Sequence, residues 1–255
     1  RALLAKAVTA YSMEVKDIVI TALLRAMAQT YGNENQVISM ESHGRQNDYV
    51  ELDIGRTVGW FTSFYPVLFE NIGTDMQLDL VNVKETMLCV PNNGSDYFPL
   101  KNSKLLNEPD YLHPLVNFNY QGAAVNKNEV FYFTQVWEEY AIPMAAENIF
   151  GSPISLDGMV INNRFEVIFS YVESLSDKLK IYELIERFRK ELKGIVEYCV
   201  SKTEPVVTPM ELGCPGMSWN DFLYVQEFAN NESLHIKSIY PLTPLQEGIL
   251  FESIN

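Results

Sequence analysis

Two short runs concentrate the side chains that could do chemistry: Glu41-Ser42-His43-Gly44-Arg45 and Arg56-Thr57-Val58-Gly59-Trp60-Phe61-Thr62. They bring together a carboxylate and an imidazole, which can exchange protons, and two guanidinium groups, which balance negative charge. Glycines separate these groups, and the flanking sequence is mostly apolar or acidic. Such clustering suggests a site; on residue types alone, two polar turns at a sheet edge account for it as well. His43, His113 and His235 stand alone without an H-x-x-x-H or H-E-x-x-H pattern, and Cys89, Cys199 and Cys214 form no C-x-x-C pair. Neither a metal site nor a disulfide framework is therefore expected. Buried, reduced thiols in a cytoplasmic protein are the simple account of the cysteines.

Regular elements must deliver both runs. Val37-Ile38-Ser39-Met40 predicts a short strand leading to Glu41, and Ser63–Phe69 a second, with Pro66 implying an edge or a bulge. Residues 2–11 and 16–31 predict helices. In the second, Val19, Leu23, Ala26, Met27 and Thr30 recur at helical spacing, and Asp17 sits where a cap or first-turn acid is favoured. Residues 77–90 predict another helix, with Leu80, Val83, Met87 and Leu88 on one face and Pro91-Asn92-Asn93-Gly94 ending it. A long loop is expected over 91–115, then strands over 116–120, 129–137, 157–162 and 164–173. Asn162-Asn163 suits a tight hairpin between the last two, and Phe165, Val167, Phe169 and Tyr171 alternate onto one sheet face. Residues 177–200 predict the clearest helix. Its stripe of Ile181, Ile185, Phe188, Leu192, Ile195 and Cys199 is expected to pack into the core. The order predicts a layered α/β domain lacking the glycine motifs of nucleotide binding.

The 255 residues are 47% hydrophobic, enough for one large or two modest cores. Thirty-three acids against nineteen bases leave a net charge of −14, which argues against a nucleic-acid partner. No apolar run reaches the roughly 18 residues of a membrane span, and no signal peptide is evident. Arg1-Ala2-Leu3-Leu4 opens inside a helical pattern, and Phe251-Glu252-Ser253-Ile254-Asn255 closes inside an apolar periodic one. A longer parent polypeptide is expected. After Lys202, Glu204-Pro205-Val206-Val207-Thr208-Pro209 and Gly213-Cys214-Pro215-Gly216 are linker-like, which places a domain boundary near 203–235.

Five segments, in family order, resemble the epimerization domain of nonribosomal peptide synthetases, a branch of the condensation-domain superfamily. Asp17-Ile18-Val19-Ile20-Thr21-Ala22-Leu23 resembles D-x-L-L-x-A-x, and Glu41-Ser42-His43-Gly44-Arg45-Gln46 resembles E-G-H-G-R-E. Arg56-Thr57-Val58-Gly59-Trp60-Phe61-Thr62-Ser63-Phe64-Tyr65-Pro66 is nearly identical to R-T-V-G-W-F-T-x-x-Y-P. Pro91-Asn92-Asn93-Gly94-Ser95-Asp96-Tyr97-Phe98 resembles P-x-x-G-x-G-Y-G, and Phe118-Asn119-Tyr120-Gln121-Gly122 resembles F-N-Y-L-G. Near the end, the run from Tyr240 to Phe251 resembles the opening motif of a following condensation domain. The resemblance implies an α/β two-layer sandwich, one lobe of a chloramphenicol-acetyltransferase-like fold. Residues 1–202 would be the C-terminal lobe of the epimerization domain, 203–235 a linker with a short amphipathic helix, and 236–255 the start of the next domain.

The activity so implied is conversion of an L- to a D-aminoacyl or peptidyl thioester, an isomerase step in peptide antibiotic biosynthesis. Removing and returning a Cα proton needs acid/base groups on both sides of the carbon and a stabilised enolate oxygen. A carboxylate suits one side if burial raises its pKa, and the resemblance gives that role to Glu41. Tyr120 would donate a hydrogen bond near the substrate, with Asn119 orienting it. His43 and Arg45 would shape and charge-balance the Glu41 loop. Trp60 and Phe61 would pack beside the channel for the 4'-phosphopantetheine arm of a peptidyl carrier protein, a purely structural role for Trp60 being equally open. A pairing of Arg56 with Asp53 is the plainer account of that arginine. No cofactor is expected on the chain itself. The implied partners are the carrier protein, the N-terminal lobe of the same domain and the downstream condensation domain, with no nucleic acid and no membrane. The family's second catalytic motif, H-H-x-x-x-D, lies in the N-terminal half, and no adjacent His pair occurs here, so the chain alone is expected to be inactive. Ser42 replaces a glycine, Gln46 an acid and Gln121 a leucine, while Ser95, Asp96 and Phe98 alter the glycine-rich loop. Two other readings stay open: a lobe of a peptide-bond-forming condensation domain, and a non-catalytic carrier-protein docking module.

Overall fold

In the computed structural model, which describes residues 2–45, 54–73, 75–103, 105, 113–124 and 151–254, the chain starts as a π-helical turn (Leu3–Ala7). This runs into α1 (Val8–Ala10), followed by α2 (Val15–Tyr31). Glu14 and Asp17 form a capping box at the start of α2, with the Asp17 carboxylate accepting the Glu14 N–H at 2.9 Å. The expected first-turn acid is therefore in place. Ile18, Val19, Ile20, Ala22, Leu23 and Leu24 are all buried. A helix apolar on every side belongs inside the protein, and α2 packs against both other long helices of its layer, α3 (Met76–Leu88) and α5 (Lys178–Val200).

The second layer is, among the described residues, a five-stranded sheet ordered β2-β1-β3-β4-β5. β1 (Gln36–Ser42) runs antiparallel to the edge strand β2 (Ser63–Phe69) and parallel to β3 (Val116–Ala124). β4 (Ile154–Ile161) continues parallel to β3, and β5 (Arg164–Tyr171) returns antiparallel. Pro66, which has no N–H for a ladder, sits on the β2 edge as its chemistry requires. Asn162 and Asn163 adopt φ of 48° and 64°, the left-handed pair that closes a tight β4–β5 hairpin. Strand alternation then sorts the sheet into two unlike faces. Ile38, Met40, Tyr65, Val67, Phe69, Val116, Phe118, Ile154 and Leu156 are buried in one core with the helices. Ser39, Glu41, Asn117, Asn119, Ser155 and Asp157 occupy the intervening positions and are half-buried.

Several expectations need correction. The stretch 91–115 is not one loop: a 3-10 turn (Pro91–Gly94) and the short helix α4 (Tyr97–Asn102) lie within it. On α3, Leu80 and Val83 are buried with Val81, but Leu88, the last helical residue, is 48% exposed. Cys89, at the cap just beyond it, is exposed; of the three free thiols Cys199 is the buried one, and burial pushes its thiol up to about 11. The stripe on α5 does pack inward through Ile181, Phe188, Ile195 and Cys199, and Leu184 joins it. The strand expected over 129–137, together with Gln46 and Asp53, lies outside the described residues.

Charged groups inside the helical layer bind it together. Arg25 on α2 reaches Asp79 on α3 and, at 2.6 Å, Glu191 on α5; Gln29 adds a 2.7 Å hydrogen bond to Glu191. The segment after Lys202 is also tied to this body. Val206 N–H donates to the Ala10 carbonyl at 2.7 Å, Met210 N–H to Glu85 at 3.2 Å, and Lys84 pairs with Glu211 at 2.7 Å. α6 (Trp219–Asn231) fully buries Phe222, whereas α7 (Pro244–Ile254) buries nothing among the described residues. No described helix is long and apolar enough to cross a membrane.

Candidate functional site

Glu41 lies near the end of β1, opposite Phe64 of β2 and just beyond the parallel pairing with β3. Ser39 of β1 stands opposite Asn117 of β3, and Asn117 and Asn119 stand opposite Ser155 and Asp157 of β4. All of these side chains share the face away from the helices. The Asn117 amide reaches diagonally along that face and donates to Glu41 Oε1 at 2.5 Å. The Asn119 amide turns the other way, to Asp157 Oδ1 at 3.3 Å, and the Ser155 hydroxyl donates to Asp157 Oδ2 at 3.1 Å. Two asparagines on one strand thus divide between carboxylates on the strands to either side. Burial raises the Glu41 carboxyl above its ordinary value; the Asn117 hydrogen bond pulls it back, and the charge of Asp157 pushes it up again. Among the described residues no cation pairs with Glu41.

A cleft of about 590 Å³ opens where β1 and β3 end, lined by Glu41, His43, Asn119 and Tyr120 together with Glu14 and Lys16 from the start of α2. Tyr120 lies at the end of the regular β3–β4 register, which shifts between Tyr120 and Ala123, with Gly122 at φ 77°. Its alternation places it on the helix side of β3, opposite to Asn119, so the two enter the cleft from different faces of the sheet. Burial and the nearby Glu14 charge raise the Tyr120 phenol, which therefore stays a hydrogen-bond donor at neutral pH. A neighbouring cavity of about 660 Å³ on the open face is bounded in part by Ser39, Asn117, Ser155 and Asp157. Another cavity, of about 850 Å³, lies between α3, β2 and residues 216–219, and none of the predicted site residues lines it.

The two opening motifs form one unit. Arg45 donates to the Ile54 carbonyl at 3.0 Å and the Thr57 carbonyl at 3.1 Å, and its guanidinium lies 4.2 Å over the Phe61 ring. Its own N–H donates to His43 Nδ1 at 3.0 Å, which fixes the imidazole at the cleft rim. Gly44, at φ 60°, makes the approach possible: a Cβ there would stand 1.6 Å from the Phe61 carbonyl oxygen. Gly94 plays the same part for the next motif, since a Cβ on it would meet the Tyr65 ring at 2.1 Å. Arg45 and His43 thus belong to one hydrogen-bonded loop that joins the two motifs. Trp60 is not brought to the cleft; it is 87% exposed, and Arg56 is exposed as well. Asn117 and Asp157 escaped notice in the sequence, although the alternation Val116-Asn117-Phe118-Asn119-Tyr120 already put both asparagines on one face. Among the described residues no group of three or more His, Cys, Asp and Glu side chains is placed to hold a metal ion.

Comparison with known proteins fits this architecture. Bacitracin synthase 3 of Bacillus licheniformis is 30% identical over 253 residues, covering 96% of this chain and 4% of that protein. Gramicidin S synthase 1 of Brevibacillus brevis is 30% identical over 219 residues, 79% of this chain and 20% of that one. The chain thus spans a small part of the curated relatives it matches. Among solved structures, the epimerization domain from the third module of tyrocidine synthetase B matches with a TM-score of 0.70 at 27% identity, over 80% of this chain and 46% of that one. The condensation domain of the Monacolin K polyketide synthase shares the fold, with a TM-score of 0.57 at 13% identity over 80% and 45%. The family model described as the condensation domain matches residues 1–211, and the chain belongs to that family.

Proposed function

We propose that the chain is the C-terminal lobe of an epimerization domain in a nonribosomal peptide synthetase, with residues 236–255 opening a following condensation domain. The observation that carries this is the Glu41 carboxyl. It is half-buried at the cleft wall, held by one amide, raised by burial and by Asp157, and without a cation among the described residues. A carboxyl so placed holds a proton more readily than an exposed one, which suits it to proton exchange with a substrate. The likeness to a solved epimerization domain points the same way.

In this reading the substrate is an aminoacyl or peptidyl thioester on the phosphopantetheine arm of a carrier protein. Glu41 exchanges the Cα proton on one face while the electron pair of the C–H bond moves onto the thioester carbonyl oxygen. The proton returns to the opposite face from a group on the N-terminal lobe, so the chain alone does not turn over. Tyr120, held protonated, donates a hydrogen bond on the cleft side of β3. The family description favours a second reading, a lobe that forms peptide bonds, and one experiment separates the two. In the complete module, Glu41→Gln is expected to lower L-to-D conversion by about 100-fold or more, the scale of general acid/base catalysis, with an unchanged melting curve. Undiminished conversion, or a module that forms peptide bonds but never epimerises, overturns the proposal.

A further inference from the structure

Glu41 has one hydrogen-bond partner among the described residues, and that partner belongs to none of the motifs that carry the resemblance. Asn117 lies two residues before Asn119, on the same face of the same strand. Its Cα partner on β1 is Ser39, so its amide must reach one pleat forward to meet Glu41 Oε1 at 2.5 Å. An amide can do this and still leave the proton free to move, because it donates without contributing a full positive charge. Its backbone is fixed between β1 and β4, so the amide is anchored by ladders on both sides. The next asparagine repeats the device toward Asp157, which the Ser155 hydroxyl also holds. The result is a row across three strands: Glu41, Asn117, Asn119, Asp157.

Resting on the epimerase reading above, we propose that Asn117 is the positioning residue of Glu41. It binds Oε1 so that the second carboxylate oxygen carries the proton exchange, while Asp157 is held at the far end of the row by Asn119 and Ser155. The titratable and charged groups that share the Glu41 surroundings are Glu14 and Lys16 at the start of α2, His43 beyond β1, Tyr65 on β2, Tyr120 on β3 and Asp157 on β4. Lys16 is paired with Glu14 at 3.0 Å, and His43 accepts from Arg45, so both are already engaged. Asn117 and Asp157 therefore act on Glu41 in opposite directions. The donated hydrogen bond favours its ionised form, and the nearby negative charge favours its protonated form.

The test uses the complete synthetase module in deuterated water, supplied with ATP and a mixture of the nineteen chiral proteinogenic L-amino acids as the probe. The thioester-bound residue is released and scored for Cα deuterium and configuration as the acidity is varied. Asn117→Asp, which keeps the shape but removes the donor, is expected to lower deuterium uptake about 100-fold, the penalty of a misplaced catalytic group. Loading of the carrier should be unchanged, and the pH midpoint should move upward. Asn117→Ser keeps a small polar residue out of reach of Glu41 and is expected to shift the midpoint the same way, which guards against a folding defect in the first variant. Asp157→Asn is expected to move the midpoint downward. Uptake and midpoints equal to wild type in the Asn117 variants overturn this inference alone. A wild-type module that takes up no deuterium overturns it together with the epimerase reading.

Discussion

Two carboxylate clusters sit on opposite sides of the same sheet, and they differ in what holds them. In the helical layer, burial pushes Glu191 upward, but hydrogen bonds from Arg25 and Gln29 outweigh it and hold the carboxyl below its ordinary value. On the open face, Glu41 has an amide where Glu191 has a guanidinium, and burial with Asp157 wins. The guanidinium holds Glu191 as an anion and ties α2, α3 and α5, while at Asp79, its other partner, burial still outweighs it. An amide orients the acid and leaves its proton labile. The two clusters teach that degree of burial does not separate scaffold from site in this domain. Between Glu41 and Glu191, the charge of the neighbour does.

The comparison can be broken first at the scaffold. Arg25→Met should leave Asp79 and Glu191 buried and unpaired, costing about 3–5 kcal/mol, the range for removing one partner of a buried pair. Urea denaturation measures it, while the rate per folded molecule should hold. A loss near zero would mean the helical cluster is not the tie described. Gly44→Ala is next. With a Cβ forced into the Phe61 carbonyl and a positive φ to maintain, it should cost about 1–3 kcal/mol and displace the loop held by Arg45. A melting curve identical to wild type would contradict the close approach.

Asp17 gives an effect that depends on pH, and its sign is definite. Burial pushes its carboxyl from the ordinary 3.8 up to about 6. The folded state therefore favours the protonated form. That contribution is fully present below 3.8 and is lost as pH rises through about 6. Asp17→Asn cannot ionise, so its stability relative to wild type should rise by about 2 kcal/mol across this window, read from urea midpoints at several pH values. A pH-independent difference would show that Asp17 is not the group responsible.

The parts legible in the sequence were those written in local chemistry. The β1 and β2 strands showed as short strand runs, the second with an edge proline, and β5 as alternation. The β4–β5 hairpin showed as Asn162-Asn163, and the start of α2 as Asp17. The α4 helix did not show, because the proline- and asparagine-rich run around it reads as loop while the helix spans only Tyr97–Asn102. Leu88 looked like a core residue because periodicity says nothing about where a helix outruns its layer. The site was half legible. Glu41, His43 and Arg45 stood out by residue type, but Asn117 acquires meaning only once β1, β3 and β4 are in register. Neither Arg25 nor Glu191 carries a local sign that they meet, since 166 positions separate them.

The central claim is that the open-face acid does the chemistry and the helix-side acid does not. Solvent deuterium uptake at Cα by the complete module, measured side by side for Glu41→Gln and Glu191→Gln, tests it most directly. The account predicts that Glu41→Gln folds but takes up almost no deuterium, whereas Glu191→Gln is less stable yet exchanges at the wild-type rate per folded molecule. Exchange that survives in Glu41→Gln would contradict it.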